Sequence, residues 1–268
     1  MNLLPASRLM ALLLPAAMLP AAAQAQGFAA YISPPRFEVQ ADAGKPLRQV
    51  LEIQHVGQQK GNYRVYTADW TFNADNAVSF STELAPDSCR PWVAIERREL
   101  SIEPGARYRY RFEINPPAGT PPRECRFALM VEGLDPAKVQ GNISFPVGGR
   151  IGVIVYAAIG GAAPQLSIST QQVVQVNGKP TATLDVRNTG NAHGRLEGFV
   201  NGTDAAGTQF EMSPADLPIL PGETRRVALS PVPENGKTAP EIRFPLSVKG
   251  SLEWGANRLP LDARFAAP

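Results

Sequence analysis

At 268 residues with a net charge of +2, and with its Lys and Arg scattered rather than gathered into a stripe, the chain lacks the electrostatic footprint of a nucleic-acid binder. It is long enough for two domains of roughly 100 to 150 residues each. With only two histidines and two cysteines in all, metal and thiol chemistry have few residues to draw on.

The N-terminus reads as an export signal: Arg8 supplies the positive start, Leu9 to Leu19 is an apolar run broken by Pro15, and Ala23 to Ala25 is a small-x-small cleavage site. Residues 1–25 are therefore expected to be removed and the mature chain to begin near Gln26. The run is shorter than the about 20 apolar residues a spanning helix needs, so no stable membrane insertion is expected after cleavage. Export to an oxidising compartment predicts a Cys89 to Cys125 disulfide, stabilising by about 4 kcal/mol in the chain-entropy model.

Beyond the signal, short alternating segments separated by Gly, Pro and Asn predict an all-β fold. In chain order the clearest strands are Val50 to Ile53, Tyr63 to Trp70, Tyr108 to Ile114, Phe127 to Val131, Ile151 to Tyr156, Thr183 to Val186, Val227 to Leu229 and Phe244 to Val248. Such spacing favours sandwiches of antiparallel sheets. Gly160 to Pro164 (GGAAP) interrupts the pattern and divides an N-terminal domain, 26–160, from a C-terminal domain, 165–268. A weak repeat relates the halves. Leu51 to Gly57 (LEIQHVG) parallels Leu184 to Gly190 (LDVRNTG), each a strand ending in a turn whose glycine can take positive φ. Ser101 to Gly105 (SIEPG) parallels Pro218 to Gly222 (PILPG), where Pro-Gly predicts a tight turn.

The sequence carries no GxSxG, HExxH, P-loop or dinucleotide glycine pattern. His55 and His193, each in or beside a predicted turn with a glycine nearby, read as solvated turn residues. Asp69 beside Trp70, or Glu96 with Glu99, could in principle form a carboxylate pair, but charged residues on the solvent face of antiparallel strands are far more common than such dyads. Trp70, Trp92 and Trp254 suit core or interface positions better than a sugar site. No catalytic residue, metal or cofactor is expected.

Residues Asn142 to Tyr156 (NISFPVGGRIGVIVY) are the most informative. Ile143, Phe145 and Val147 fall on one face of a strand, and Pro146 cannot donate a ladder hydrogen bond, which suits an edge. The three face either the domain's own core or an incoming chain that pairs with the edge.

The order of segments resembles the PapD-like periplasmic chaperones of pilus and fimbrial assembly. Ser33 to Val39 (SPPRFEV) resembles that family's first strand, Leu51 to Val56 and Tyr63 to Trp70 the next two, Leu100 to Gly105 with Tyr108 to Ile114 its Pro-Gly turn and following strand, Phe127 to Gly133 its alternating apolar strand, and Gly149 to Tyr156 its last strand before the second domain. The resemblance implies two immunoglobulin-like β-sandwich domains in an L-shaped arrangement, and no cofactor. The implied partners are a pilus or fimbrial subunit and the outer-membrane usher, met in the periplasm. Arg36 stands where the family's arginine grips the subunit's C-terminal carboxylate. Gly152 stands where the family has a lysine, with Arg150 two residues earlier on the same face as a substitute. Ile143, Phe145 and Val147 fall on the strand lent to the subunit in donor-strand complementation. The rival reading is a structural or adhesive two-domain sandwich that lends no strand.

Overall fold

The computed structural model describes residues 28–135, 148–233 and 238–267. The described chain is all-β, with a three-residue 3-10 turn at Arg90–Trp92 as its only helical element, and no described helix is long and apolar enough to cross a membrane. Its N-terminal half holds β1 (Ala30–Ser33), β2 (Arg36–Ala41), β3 (Leu47–His55), β4 (Gly61–Phe72), β5 (Val78–Ser81), β6 (Val93–Ile95), β7 (Glu99–Ile102), β8 (Arg107–Ile114), β9 (Arg123–Gly133) and β10 (Arg150–Ile159). The C-terminal half holds β11 (Leu166–Val176), β12 (Lys179–Asn188), β13 (Val200–Thr203), β14 (Gln209–Pro214), β15 (Thr224–Pro231), β16 (Leu246–Trp254) and β17 (Asn257–Phe265). Every strand read from the sequence lies within one of these or overlaps it.

Two sheets face each other in the N-terminal half. One has the order β1-β3-β8-β6; the other runs β2-β10-β9-β4-β5, with β7 also on β4. Alternation explains how they close on one core. In β8 (RYRYRFEI), Tyr110, Phe112 and Ile114 point inward while Arg109 and Arg111 meet solvent. They pack with Leu51 and Ile53 of β3 against Phe127, Leu129 and Val131 of β9 and Val153 and Val155 of β10. The buried disulfide Cys89–Cys125, with Cα atoms 5.7 Å apart, joins the loop after β5 to β9 in this core. The C-terminal half is a seven-stranded path, β11-β12-β15-β14-β13-β16-β17, wrapped over a second core that includes Leu184, Met212, Val227, Val248 and Phe265.

The turns follow the residues that permit them. Gly105 (φ +72°) and Gly222 (φ +77°) sit third in turns closed by Ala106 N–H to Glu103 O and Glu223 N–H to Leu220 O, both 3.0 Å, with Pro104 and Pro221 second. The glycines ending the repeat do not use that freedom: neither Gly57 nor Gly190 has positive φ. A Cβ on Gly190 would come within 2.6 Å of Gln165 N and 2.8 Å of Pro164 C, so this glycine is required by the close passage of the segment joining the halves. A Cβ on Gly57 would meet the His55 ring at 2.7 Å.

Neither histidine is the solvated turn residue expected: His55 is buried and the side chain of His193 nearly so. His55 is 5% exposed, its ring nitrogens 2.5 Å from the Tyr63 hydroxyl and the Gln59 carbonyl oxygen. His193 lies between the two halves. Neither carboxylate pairing forms a dyad. Asp69 accepts from Ala85 N–H, Ser88 and Arg90, and Glu96 accepts from Tyr108 and the Arg111 N–H. Among the described residues no group of three His, Cys, Asp or Glu could hold a metal ion.

Candidate functional site

The site is set by how β10 is paired. On one side all ten of its residues, from Arg150↔Glu132 to Ile159↔Arg123, run antiparallel to β9. On the other, β2 lies parallel to it but only from Ile154↔Arg36 to Ile159↔Ala41. The margin from Arg150 to Val153 therefore has no partner strand among the described residues, and it is an edge of the kind that can accept another chain. Ile151, on this margin, is 36% exposed. Residues 1–25 and the three residues Ile143, Phe145 and Val147 lie outside the described residues.

Arg36 is the first residue of β2, so it stands where the unpaired margin ends. Its guanidinium is already engaged: Nε is 2.8 Å from Glu38 Oε1 and NH1 donates to Asp216 Oδ2 at 3.2 Å. Arg150 opens β10, four residues before Ile154, which places it about 13 Å along the strand from the level of Arg36. The two arginines share the outer face of the sheet and are separated along it.

Gly152 lies between them, and the structure accounts for its lack of a side chain. A Cβ there would come within 2.5 Å of Phe80 Cζ and 3.0 Å of Met130 Sδ, because the Phe80 ring from β5 lies across β10. Phe80 belongs to an apolar cluster on the outer face, with Ala68, Ala128 and Met130 buried beneath Tyr66, Trp70 and Ile154. A sandwich's outer face is ordinarily solvated. Here the hairpin carrying β5 covers part of it, and His193 of the C-terminal half stacks on Tyr156.

The joint between the halves is polar and closely fitted. Glu124 N–H donates to Asn191 O at 3.0 Å, and Asn191 Nδ2 donates to Pro122 O at 2.8 Å. The His193 ring stacks on Tyr156 at 3.7 Å, with Nδ1 2.5 Å from Glu124 Oε2 and Nε2 3.6 Å from Glu38 Oε1. Burial alone would push the imidazole toward neutrality, but Glu124 and Glu38 outweigh it and raise its pKa above the usual 6.5. The Glu38 carboxyl is correspondingly held down to about 2, first by His193. Burial pushes the Tyr156 hydroxyl up to about 12. Arg195 completes the group, its NH1 2.7 Å from Asp216 Oδ1 and its Nε 3.3 Å from Glu38 Oε1. A cleft beside this network is lined by Glu38, Glu124, Tyr156, His193, Arg195 and Trp254, among others.

A second clasp lies at the tip of the β4–β5 hairpin. Arg225, 4% exposed on β15, donates to Asn73 O (3.0 Å), Phe72 O (3.3 Å) and Asn76 Oδ1 (2.8 Å), stacks 4.0 Å over the Phe72 ring and pairs with Glu223. Sequence reasoning singled out Arg36 and also named Arg150, which stands about 13 Å along the strand from the level of Arg36, but missed His193, Arg195, Asp216 and Arg225 as members of the joint. These residues are brought to their partners only by the tertiary fold, and no local spacing marks them.

No protein-family model matches the chain, and no curated protein matches its sequence. Among solved structures it is similar to the class 5 fimbriae chaperone CfaA, at 12% identity and a TM-score of 0.48, over 89% of this chain and 100% of that one. It is also similar to a chain of the CsuC–CsuE chaperone–tip adhesion subunit pre-assembly complex from the archaic chaperone-usher Csu pili of Acinetobacter baumannii, at 14% identity and a TM-score of 0.45, over 88% and 97% of the two chains. A protein of unknown function from Porphyromonas gingivalis W83 matches at 14% identity and a TM-score of 0.35, over 90% of this chain and 100% of that one.

Proposed function

We propose that the chain is a periplasmic chaperone without enzymatic activity, which holds pilus or fimbrial subunits by donor-strand complementation and passes them to an outer-membrane usher. The observation that carries this reading is the half-paired strand β10: its margin from Arg150 to Val153 is unpaired among the described residues, and β2 with Arg36 begins where that margin stops. A chain running parallel to β10 along this margin would be collinear with β2 and would bring its own C-terminus against Arg36. A guanidinium can grip a terminal carboxylate with paired hydrogen bonds. Arg150, on the same face, supplies a second cation along the incoming chain. In sequence, Ile143, Phe145 and Val147 share the parity of Ile151 and Val153, and we assign them to the lent strand. Main-chain pairing supplies the affinity in such an arrangement and the alternate side chains supply selectivity.

The test is co-expression of the mature chain with a fimbrial subunit. A soluble one-to-one complex is expected on size exclusion, lost in Phe145→Glu and weakened in Arg36→Ala without a fall in thermal stability. A complex indifferent to Phe145→Glu refutes the strand assignment.

One observation favours the rival reading of a structural or adhesive protein. Arg36 is already bound by Glu38 and Asp216, so a subunit carboxylate must compete for it. Failure of every subunit to form a complex, with the chain instead incorporated into a surface assembly, would establish that alternative.

A further inference from the structure

Two guanidiniums converge on one carboxylate at the joint. Asp216 Oδ1 accepts from Arg195 NH1 at 2.7 Å and Oδ2 from Arg36 NH1 at 3.2 Å, so its two oxygens are held by donors from different halves of the molecule. The partners differ in how they are held. The Arg195 side chain is 9% exposed, also donates to the Asp216 backbone oxygen at 3.2 Å, and has Glu38 beside its Nε. Arg36 is oriented by Glu38 on its Nε. Asp216 itself lies between β14 and β15 with its side chain 66% exposed. Arg195 is thus fixed by burial and Arg36, 42% exposed, is oriented by Glu38, while Asp216 is the most exposed of the three and can leave.

We propose that Arg36 and Arg195 together form the receptor for a peptide C-terminal carboxylate, and that Asp216 is its internal occupant, displaced when that carboxylate arrives. The identity of the ligand rests on the chaperone reading given above. Glu38 keeps the Arg36 Nε throughout, while the NH1 edges of both arginines are handed from one carboxylate to the other. The exchange leaves the number of ion pairs unchanged. A carboxylate alone gains little by it, whereas a carboxylate borne on a strand that also pairs with β10 gains the whole ladder. The occupant thereby makes the anchor selective for chains that offer both features, and keeps adventitious anions from the two cations.

The experiment uses the full mature chain and its Asp216→Asn variant. Each is titrated with an acetylated tetrapeptide ending in a free carboxylate and with the same peptide as its C-terminal amide, followed by the Arg Nε–Hε signals in NMR. The Asn variant is expected to bind the carboxylate peptide about tenfold or more tightly than the parent, as a charge-assisted pair becomes available without competition. The amide should show no such gain, and Arg195→Ala placed in the Asp216→Asn background should erase it. The joint keeps its Glu124, Asn191 and Arg225 bonds in these variants, and Asp216→Ala serves as a second removal of the carboxylate. Equal binding by parent and variant, an equal gain for the amide, or a gain that survives Arg195→Ala would overturn the proposal. A chain that captures a subunit but shows no carboxylate gain on Asp216→Asn refutes this inference and spares the chaperone reading. A gain without subunit capture by any variant does the reverse.

Discussion

Gly152→Ala is expected to destabilise the N-terminal half through one named contact. The added methyl would stand 2.5 Å from Phe80 Cζ and 2.7 Å from Phe80 Cε1, against the about 3.5 Å or more of an ordinary carbon contact, so the ring must move by about 1 Å. Overpacking of this size costs about 1–3 kcal/mol. Phe80→Ala removes a half-buried ring from the outer face and should cost about 1–2 kcal/mol by itself. In the double variant the methyl occupies space the ring has left. A strand residue also gains about 0.5–1 kcal/mol when Ala replaces Gly. The pair should therefore be strongly non-additive, with Gly152→Ala neutral or stabilising once Phe80 is gone. Urea unfolding of the four proteins measures this, read from midpoints at constant slope. Additive costs, or a harmless Gly152→Ala in the parent, would mean that the Phe80 ring does not lie across β10.

Stability should depend on pH through the joint. The His193 pKa is raised above 6.5, so its contribution is full below pH 6.5 and is lost as pH rises through the folded value. Glu38 is lowered from 4.5 to about 2, so its contribution is full above pH 4.5 and is lost as pH falls toward 2. Melting temperature should peak between these limits, and in His193→Gln the alkaline decline should flatten; an unchanged profile would exclude the imidazole from the joint. Arg225→Ala should cost about 2–3 kcal/mol, because a buried charged donor to two carbonyls and an amide is lost, and hydrogen exchange should rise over residues 72–78. Replacing Cys89 and Cys125 together by Ser should cost about 4 kcal/mol in denaturant, from the 36-residue separation the bond closes.

What could be read in advance was whatever the chain encodes locally. The Pro-Gly turns at Gly105 and Gly222 were legible because a fixed proline φ followed by a glycine leaves few alternatives. Strand β8 was legible because its inward and outward residues alternate cleanly. Weaker segments escaped: β5 (VSFS) is mostly exposed, and β11 (LSISTQQVVQV) is a largely polar edge supported by its ladder to β12. At His55 the neighbouring glycines suggested solvent, whereas Gly57 and Gly61 are small because the buried ring fills the space of their Cβ atoms. The joint was the least legible part. Arg36, Glu124, the His193–Arg195 segment and Asp216 come from distant stretches, and all but Arg36 are unremarkable where they stand.

The β4–β5 hairpin bears on whether the molecule can be divided. Each half has a hydrophobic interior of its own, which suggests that a stop codon after Ile159 would leave an autonomous module. Yet Arg225 fastens the hairpin tip from the far side of the chain, and His193 roofs Tyr156. A fragment truncated there would keep its interior but lose both fastenings, baring Tyr156 and untethering the greasy platform around Trp70 and Phe80. Such a fragment should be sticky and short-lived in solution, and its insolubility would reflect severed upholstery rather than an unstable frame.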